Sequence, residues 1–173
     1  MKMTALPLEG AYEIELFRFE DDRGLFFKPF QASALKEAGL WFEPKESICS
    51  VTHRHIVRGM HFQTGEHAQC KLVYCPAGSI LDVILDIRPQ SATYGSFYSA
   101  ELSAANGRCL YIPEGFAHGF MALEDHSVTS YLMSREYAPE ADKGLLWNSF
   151  GFNWPFQPRA VSPRDAAFAP FTR

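Results

Sequence analysis

Apolar and polar positions alternate with a period of two along much of this 173-residue chain. From Glu13 to Phe19, acidic residues alternate with apolar or aromatic ones, the signature of a strand with one wet face. Asp21, Asp22, Arg23 and Gly24 then predict a turn, and the apolar Leu25, Phe26 and Phe27 follow it. Gln31 to Ala38 is the best helix candidate of the first half, closed by Gly39. It is short, so it is expected to pack on a sheet rather than build a helical layer. From residue 47 to 133 the pattern is strand and turn. Cys70 to Cys75 is an apolar run ended by Pro76, Ala77 and Gly78. Ile80 to Ile87 places Leu81, Val83, Leu85 and Ile87 on one face and Asp82, Ile84 and Asp86 on the other, until Pro89 ends it. Tyr94 to Leu102 predicts another strand, and Asn106-Gly107 a hairpin-type turn. Leu110 to Ile112 leads into Pro113, and Ser127 to Met133 alternates again. Short strands every 8–12 residues or so, with little helix, predict an all-β closed or two-sheet antiparallel architecture.

The character changes after residue 134. Trp147, Phe150, Phe152, Trp154 and Phe156 form a spaced aromatic set, while Pro155, Pro158, Pro163 and Pro170 discourage regular elements. Too little sequence remains for a second core, so 1–173 is read as one domain, with 134–173 as an extension packed on the barrel. The composition is that of a globular protein, with 47% apolar and 21% charged residues. Its fifteen Phe, seven Tyr and three Trp suit pleated surfaces, pockets and subunit interfaces alike. A formal charge of −4, with acids and bases intermixed, gives no field to gather nucleic acid. Cys49, Cys70, Cys75 and Cys109 have no paired CxxC spacing and read as reduced, buried thiols. No leader-like segment and no long apolar run is present, so a soluble cytoplasmic protein without a membrane partner is expected.

Two segments carry candidate chemistry: Val57-Arg58-Gly59-Met60-His61-Phe62-Gln63, and Ile112 to Phe120, which contains Gly115, His118 and Gly119. Each puts a histidine beside glycines, where the backbone can approach a ligand closely. Strand alternation would put Arg58, Met60 and Phe62 on one side and His61 and Gln63 on the other. Lys71 opens the next apolar run. Alone, His61 reads as a structural histidine; with His118, Arg58 and Lys71 it reads as a site in which a carboxylate would fix the imidazole tautomer. Composition does not nominate that carboxylate.

The series Gly107, Pro113, Gly115, His118 resembles the C-terminal signature of the cupin superfamily. In the first cupin signature two histidines and a Glu are expected; here His61 is followed by Gln63 and Glu66. His61, Glu66 and His118 are therefore one candidate metal-ligand set, opposed by the nearby Arg58 and Lys71, which would repel a cation. A closer resemblance is to the dTDP-4-dehydrorhamnose 3,5-epimerases. It runs from about residue 10 to about 165 and includes Asp22-Arg23-Gly24, Arg58 to Gln63, Gln69 to Val73, Asp82-Val83, Asp86-Ile87-Arg88, Ile112 to Phe120, Tyr131, Trp147-Asn148, Trp154-Pro155 and Ser162 to Asp165.

The resemblance implies a cupin-type jelly-roll β-barrel with short peripheral helices, working without metal or other cofactor. It implies epimerisation at C3, C5 or both of a nucleoside-diphosphate 4-keto-6-deoxyhexose, foremost dTDP-4-dehydro-6-deoxyglucose to dTDP-4-dehydrorhamnose. His61 would be the general base, Asp165 its orienting carboxylate and Tyr131 the acid on the opposite sugar face. Lys71 would sit near the 4-keto oxygen, Arg58 and His118 would line the sugar pocket, and Arg23 would meet the diphosphate. Gln63, Lys28 and Glu46 complete the expected binding set. A homodimer is implied too, with N-terminal strands reaching the neighbouring barrel. The chain departs from the family at Glu46-Ser47-Ile48-Cys49-Ser50, where the family commonly reads Gln-Asp-Asn-His-Ser, at Lys28, where Glu is common, and over Leu132 to Tyr137. These changes spare the proton-transfer residues and alter the binding shell, so another nucleotide or a single inverted carbon stays open. A metal-dependent cupin enzyme and a non-catalytic sugar-binding cupin are the competing readings.

Overall fold

The alternation along one strand, β8 (Ser79–Asp86), sets the layering of the molecule. In the computed structural model, which describes residues 1–173, Ile80 and Ile84 of β8 face a core shared by two sheets. The intervening Leu81, Val83 and Leu85 face outward yet are not wet, because the C-terminal extension covers them with Leu145, Phe150, Phe152 and Trp154. Both faces of β8 are thus buried. The face that carries Asp82 and Asp86 is the interior of the barrel, where both residues are fully buried.

Two antiparallel sheets enclose that interior. One has six strands in the order β1 (Lys2–Ala5), β2 (Tyr12–Glu15), β10 (Arg108–Ile112), β7 (Lys71–Ala77), β12 (Ser127–Met133) and β5 (Glu46–Thr52). The other has five: β13 (Asp142–Gly144), β6 (Val57–Gln63), β11 (Phe116–Ala122), β8 and β9 (Phe97–Ser103). Val73, Leu110 and Ile112 of the first sheet meet Ile84, Leu102, Phe116 and Phe120 of the second between them. A second apolar layer, with Ile14, Leu16, Leu72, Cys109 and Tyr111, covers the outside of the larger sheet and receives Leu35 of helix α1 (Ala32–Glu37). Gly39 ends α1 at φ 77°, where the Leu40 N–H bonds back to the Leu35 carbonyl at 2.9 Å.

Four local expectations change. The run Glu13 to Phe19 breaks at Leu16, because Glu15 is the last residue that finds a partner on β10 (Arg108). The chain then leaves the barrel as a separate hairpin, β3 (Phe17–Asp21) and β4 (Gly24–Lys28), turning at Asp22-Arg23 as expected. Pro76 does not end its strand but lies inside β7, at a register shift against β12 that spares it a ladder bond. Asn106-Gly107 makes a tight turn, but the strands it joins, β9 and β10, belong to different sheets. The strand expected from Tyr94 begins at Phe97, since residues 91–95 fold back onto Asp86: Ser91 Oγ and Thr93 Oγ1 each donate to its Oδ2 at 2.6 Å. All four cysteines are free thiols, Cys49 exposed and Cys70 partly so.

Candidate active site

One cavity of about 710 Å³ opens at the mouth of the barrel, a volume suited to a small organic ligand. Its walls come from both sheets and from the C-terminal extension: Glu46, Ile48 and Ser50 of β5, Arg58 and His61 of β6, Lys71, His118, Tyr131, and Ser162, Arg164 and Asp165. Three buried polar atoms on this wall, Glu46 Oε2, Ser50 Oγ and Gln69 Oε1, have no hydrogen-bond partner. Groups so placed are costly unless something supplies the missing bonds.

The position of His61 follows from two glycines. Between the rungs His61↔His118 and Arg58↔Phe120, β6 carries one more residue than β11, a bulge. Gly59 there has φ 135°, and a β-carbon on it would lie 2.5 Å from the Gly119 Cα. The bulge brings Arg58 and His61 to the same cavity while Met60 turns outward into the layer with Val83 and Phe150. Simple alternation, which separates Arg58 from His61, is thereby corrected.

His61 Nε2 lies 2.8 Å from Asp165 Oδ1, a contact made across 104 positions of sequence. Asp165 comes from helix α2 (Pro163–Ala166), whose N-cap Ser162 accepts the Asp165 N–H through its side chain at 3.0 Å. The other carboxylate oxygen accepts the Gly59 N–H at 3.1 Å. Burial alone would raise the Asp165 carboxyl, but the hydrogen bond and charge of His61, then the Gly59 N–H and Ser162, hold it below its ordinary value. It therefore stays ionised. With the proton of the imidazole on Nε2, Nδ1 is left as its basic nitrogen.

A second imidazole–carboxylate pair lies deeper. His118 Nε2 is 2.7 Å from Asp82 Oδ2, and both residues are buried. Burial lowers the His118 pKa against the opposing pull of Asp82, and Lys71 and His61 add to the lowering. Its ring is consequently a neutral hydrogen-bonding group at neutral pH. Lys71 is 7% exposed and its Nζ reaches the His61 carbonyl at 3.4 Å. Burial pushes its ammonium down from 10.5 to about 8, although Asp82 and Asp142 favour the charge. Tyr131 packs edge-on against His118 at 5.7 Å between ring centres. Burial, then Asp82, raises its phenol well above its ordinary value, with Arg58 in opposition, so the phenol keeps its proton.

Of the ten site residues named from sequence, His61, Lys71, His118, Tyr131, Asp165, Arg58 and Glu46 share this cavity. Gln63 touches it but is a fastener: its amide donates to the carbonyls of His67 (2.9 Å) and Glu136 (3.2 Å) and accepts the Ala138 N–H at 2.7 Å. Both donors are used, so none is left for a ligand. Arg23 and Lys28 lie outside the cavity of their own chain, on the β3–β4 hairpin, where Arg23 pairs with Asp21. The alternative ligand set His61, Glu66 and His118 is not assembled: Glu66 is exposed, and each histidine already has a carboxylate on Nε2. The residue that sequence reasoning did not assign was Asp82. Its signal was a carboxylate in an otherwise apolar strand, shared with Asp86, which proves structural and binds Arg88 Nε at 2.9 Å.

A family model for dTDP-4-dehydrorhamnose 3,5-epimerase matches residues 5–173. The dTDP-4-dehydrorhamnose 3,5-epimerase of Salmonella typhimurium is 40% identical over 168 residues, covering 95% of this chain and 91% of its own. The chain belongs to the dTDP-4-dehydrorhamnose 3,5-epimerase family. The crystal structure of the family's Bacillus anthracis enzyme with TDP and PPi bound superposes with a TM-score of 0.94 at 32% identity, covering 98% and 99% of the two chains. ChmJ, a 3′-monoepimerase from Streptomyces bikiniensis, superposes with a TM-score of 0.92 at 28% identity over 97% of this chain and 86% of its own. That structure is of a double mutant in which a His and a Tyr were replaced, separated by the same interval as His61 and Tyr131. The fold is thus the cupin-type barrel of the dTDP-4-dehydrorhamnose 3,5-epimerase family, as the resemblance implied.

Proposed function

We propose that this chain converts dTDP-4-dehydro-6-deoxyglucose to dTDP-4-dehydrorhamnose by inverting C3 and C5 of the sugar. The observation that carries the reading is the meeting, in one cavity, of an oriented imidazole, a buried ammonium and a protonated phenol from opposite sheets. A hydrogen on carbon beside a ketone is acidic because the electron pair left behind spreads onto oxygen. His61 Nδ1 takes that proton, with Asp165 stabilising the imidazolium that forms. The 4-keto oxygen becomes an enolate, and Lys71 is the cation at that oxygen. Tyr131 returns a proton from the other face, so the carbon inverts; the phenolate then regains a proton from solvent and the His61 imidazolium gives its proton up to solvent, which resets both groups for the second carbon. His118, fixed by Asp82, and Arg58 border the sugar, while Glu46 and Ser50 offer unfilled acceptors to its hydroxyls. None of these steps needs a metal ion or other cofactor.

The working unit in this proposal is a homodimer. Phe17, Phe19 and Phe26 on the β3–β4 hairpin are more than half exposed, an apolar surface that suits a partner. A hairpin lent to the neighbouring barrel would deliver Arg23 to the diphosphate and Lys28 to the same entrance, the places their own cavity does not offer. The whole chain acts as one catalytic domain, and the cytoplasm, where nucleotide sugars are made, is its proposed location. No helix is long and apolar enough to cross a membrane.

A panel of 4-keto-6-deoxyglucose linked to dTDP, CDP, UDP or GDP, followed by NMR, tests the substrate. The dTDP sugar is expected to have the highest kcat/KM and to yield the rhamno product. A larger kcat/KM for another nucleotide overturns the assignment of the base, and a product inverted only at C3 overturns the double epimerisation.

A further inference from the structure

A further histidine–carboxylate cluster lies outside the cavity. Thr52 of β5 sits opposite Ser127 of β12, and the residues just beyond this last rung are His53 and His126. Their ring centres are 5.1 Å apart, edge to face. Asp125 adjoins them: its Oδ1 is 2.9 Å from His53 Nδ1 and accepts the Arg54 N–H at 3.2 Å. One possible ligand atom from each residue lies within 4.8 Å of the other two, and no other trio of His, Cys, Asp or Glu is gathered in this way. His126 also holds a left-handed backbone at φ 58°, a conformation that costs most residues and that glycine would adopt freely.

We propose that His53, Asp125 and His126 form a surface site for one divalent transition-metal ion of the zinc class. Two imidazoles and a carboxylate match zinc, cobalt and nickel, whereas magnesium and calcium prefer all-oxygen sites. Donors bonded at about 2.0–2.2 Å to one tetrahedral ion sit roughly 3.3–3.6 Å apart, so His53 and Asp125 are already close enough and only the wider separations, of up to 4.8 Å, need to close. All three side chains are exposed, so they can do this without repacking the core. The Arg54 N–H keeps the carboxylate aimed at the site, as a ligand's own hydrogen-bond partner does in metal centres. Water fills the remaining positions.

The ion would tie the loop after β5 to the loop before β12. The first of these loops also holds the C-terminal extension, through the Arg159 N–H on the His55 carbonyl at 2.8 Å and the bridge Ile56↔Ala160. That stretch leads directly into Ser162 and Asp165. The site's role is to brace this shell; it takes no part in the proton transfers, and its failure would leave the epimerase reading untouched.

The test uses the full-length untagged chain, stripped with a chelator and dialysed, then titrated with Co²⁺ and Zn²⁺. The expected result is one ion per chain, with a dissociation constant of about 1–100 μM, a visible Co²⁺ band from nitrogen–oxygen ligation, and a melting temperature that rises with Zn²⁺ but not Mg²⁺. His53→Gln and His126→Asn are exposed changes that should fold normally and weaken binding by about 10–100-fold each. Absence of saturable binding below about 100 μM, or wild-type affinity in both variants, overturns the proposal.

Discussion

Replacing His61 with alanine is expected to lower epimerisation by about 10²–10⁴-fold, the range a positioned general base contributes. Binding of dTDP should stay within a few-fold of wild type, because His61 faces the sugar carbon in this account. The variant also takes from Asp165, which is 4% exposed, its strongest partner and leaves it the Gly59 N–H and Ser162. A loss of stability would follow from that carboxylate's burial. His61→Gln separates the two effects, since its amide nitrogen reaches the place of Nε2 and can still donate toward Asp165 but is not basic. The check is kcat measured beside urea unfolding for both variants. Near-normal turnover by His61→Gln would remove His61 from the base role.

Lys71→Met should move activity and stability in opposite directions. Turnover is expected to fall by about 10²–10³-fold, the usual cost of deleting one donor at a developing oxyanion. Stability is expected to rise. The folded protein holds the Lys71 ammonium at about 8, below its ordinary 10.5, so keeping it protonated at pH 7 costs about 3 kcal/mol. The change takes no hydrogen bond from Asp82, whose Oδ2 keeps His118 and whose Oδ1 is without a partner already. Between pH 8 and 10.5, the two ends of the Lys71 shift, the unfolded wild type binds more protons than the folded one, so wild-type stability gains on the variant as pH rises. Activity runs the other way: the wild type should lose turnover as pH climbs through about 8 and the ammonium discharges. Thermal unfolding and kcat across that window check both halves. A variant less stable than wild type at pH 7, or a wild-type profile flat through pH 9, contradicts this role for Lys71.

The all-β architecture was legible because period-two alternation survives wherever a strand separates two environments. Ser127 to Met133 is a strand residue for residue, and α1 ends at the glycine that marked it. Alternation does not say what the two environments are. The face of β8 bearing Asp82 and Asp86 is the barrel interior, and the extension after residue 134 buries the other face as well. Nor does alternation report where a partner strand ends, which is why Glu13 to Phe19 reads as one element and folds as two. At the site, His61 and His118 stood out by their glycines, but the bulge those glycines permit was not read from them. It takes the contact between Gly59 and Gly119, from two different strands, to put Arg58 beside His61. Asp165 was named through family resemblance alone, since nothing local links it to a histidine 104 positions away. Arg23 and Lys28 came by the same route, and a single barrel does not bring them to the cavity.

The central claim is that a proton leaves carbon for His61 and another returns from the opposite face without help from a metal. Its most direct test is epimerisation of dTDP-4-dehydro-6-deoxyglucose in D₂O by chelator-treated enzyme, with each sugar carbon read by NMR. The account predicts product carrying solvent deuterium at both C3 and C5, at a rate unchanged by chelation. Product without solvent deuterium at either carbon, or exchange that vanishes with the chelator, would contradict it.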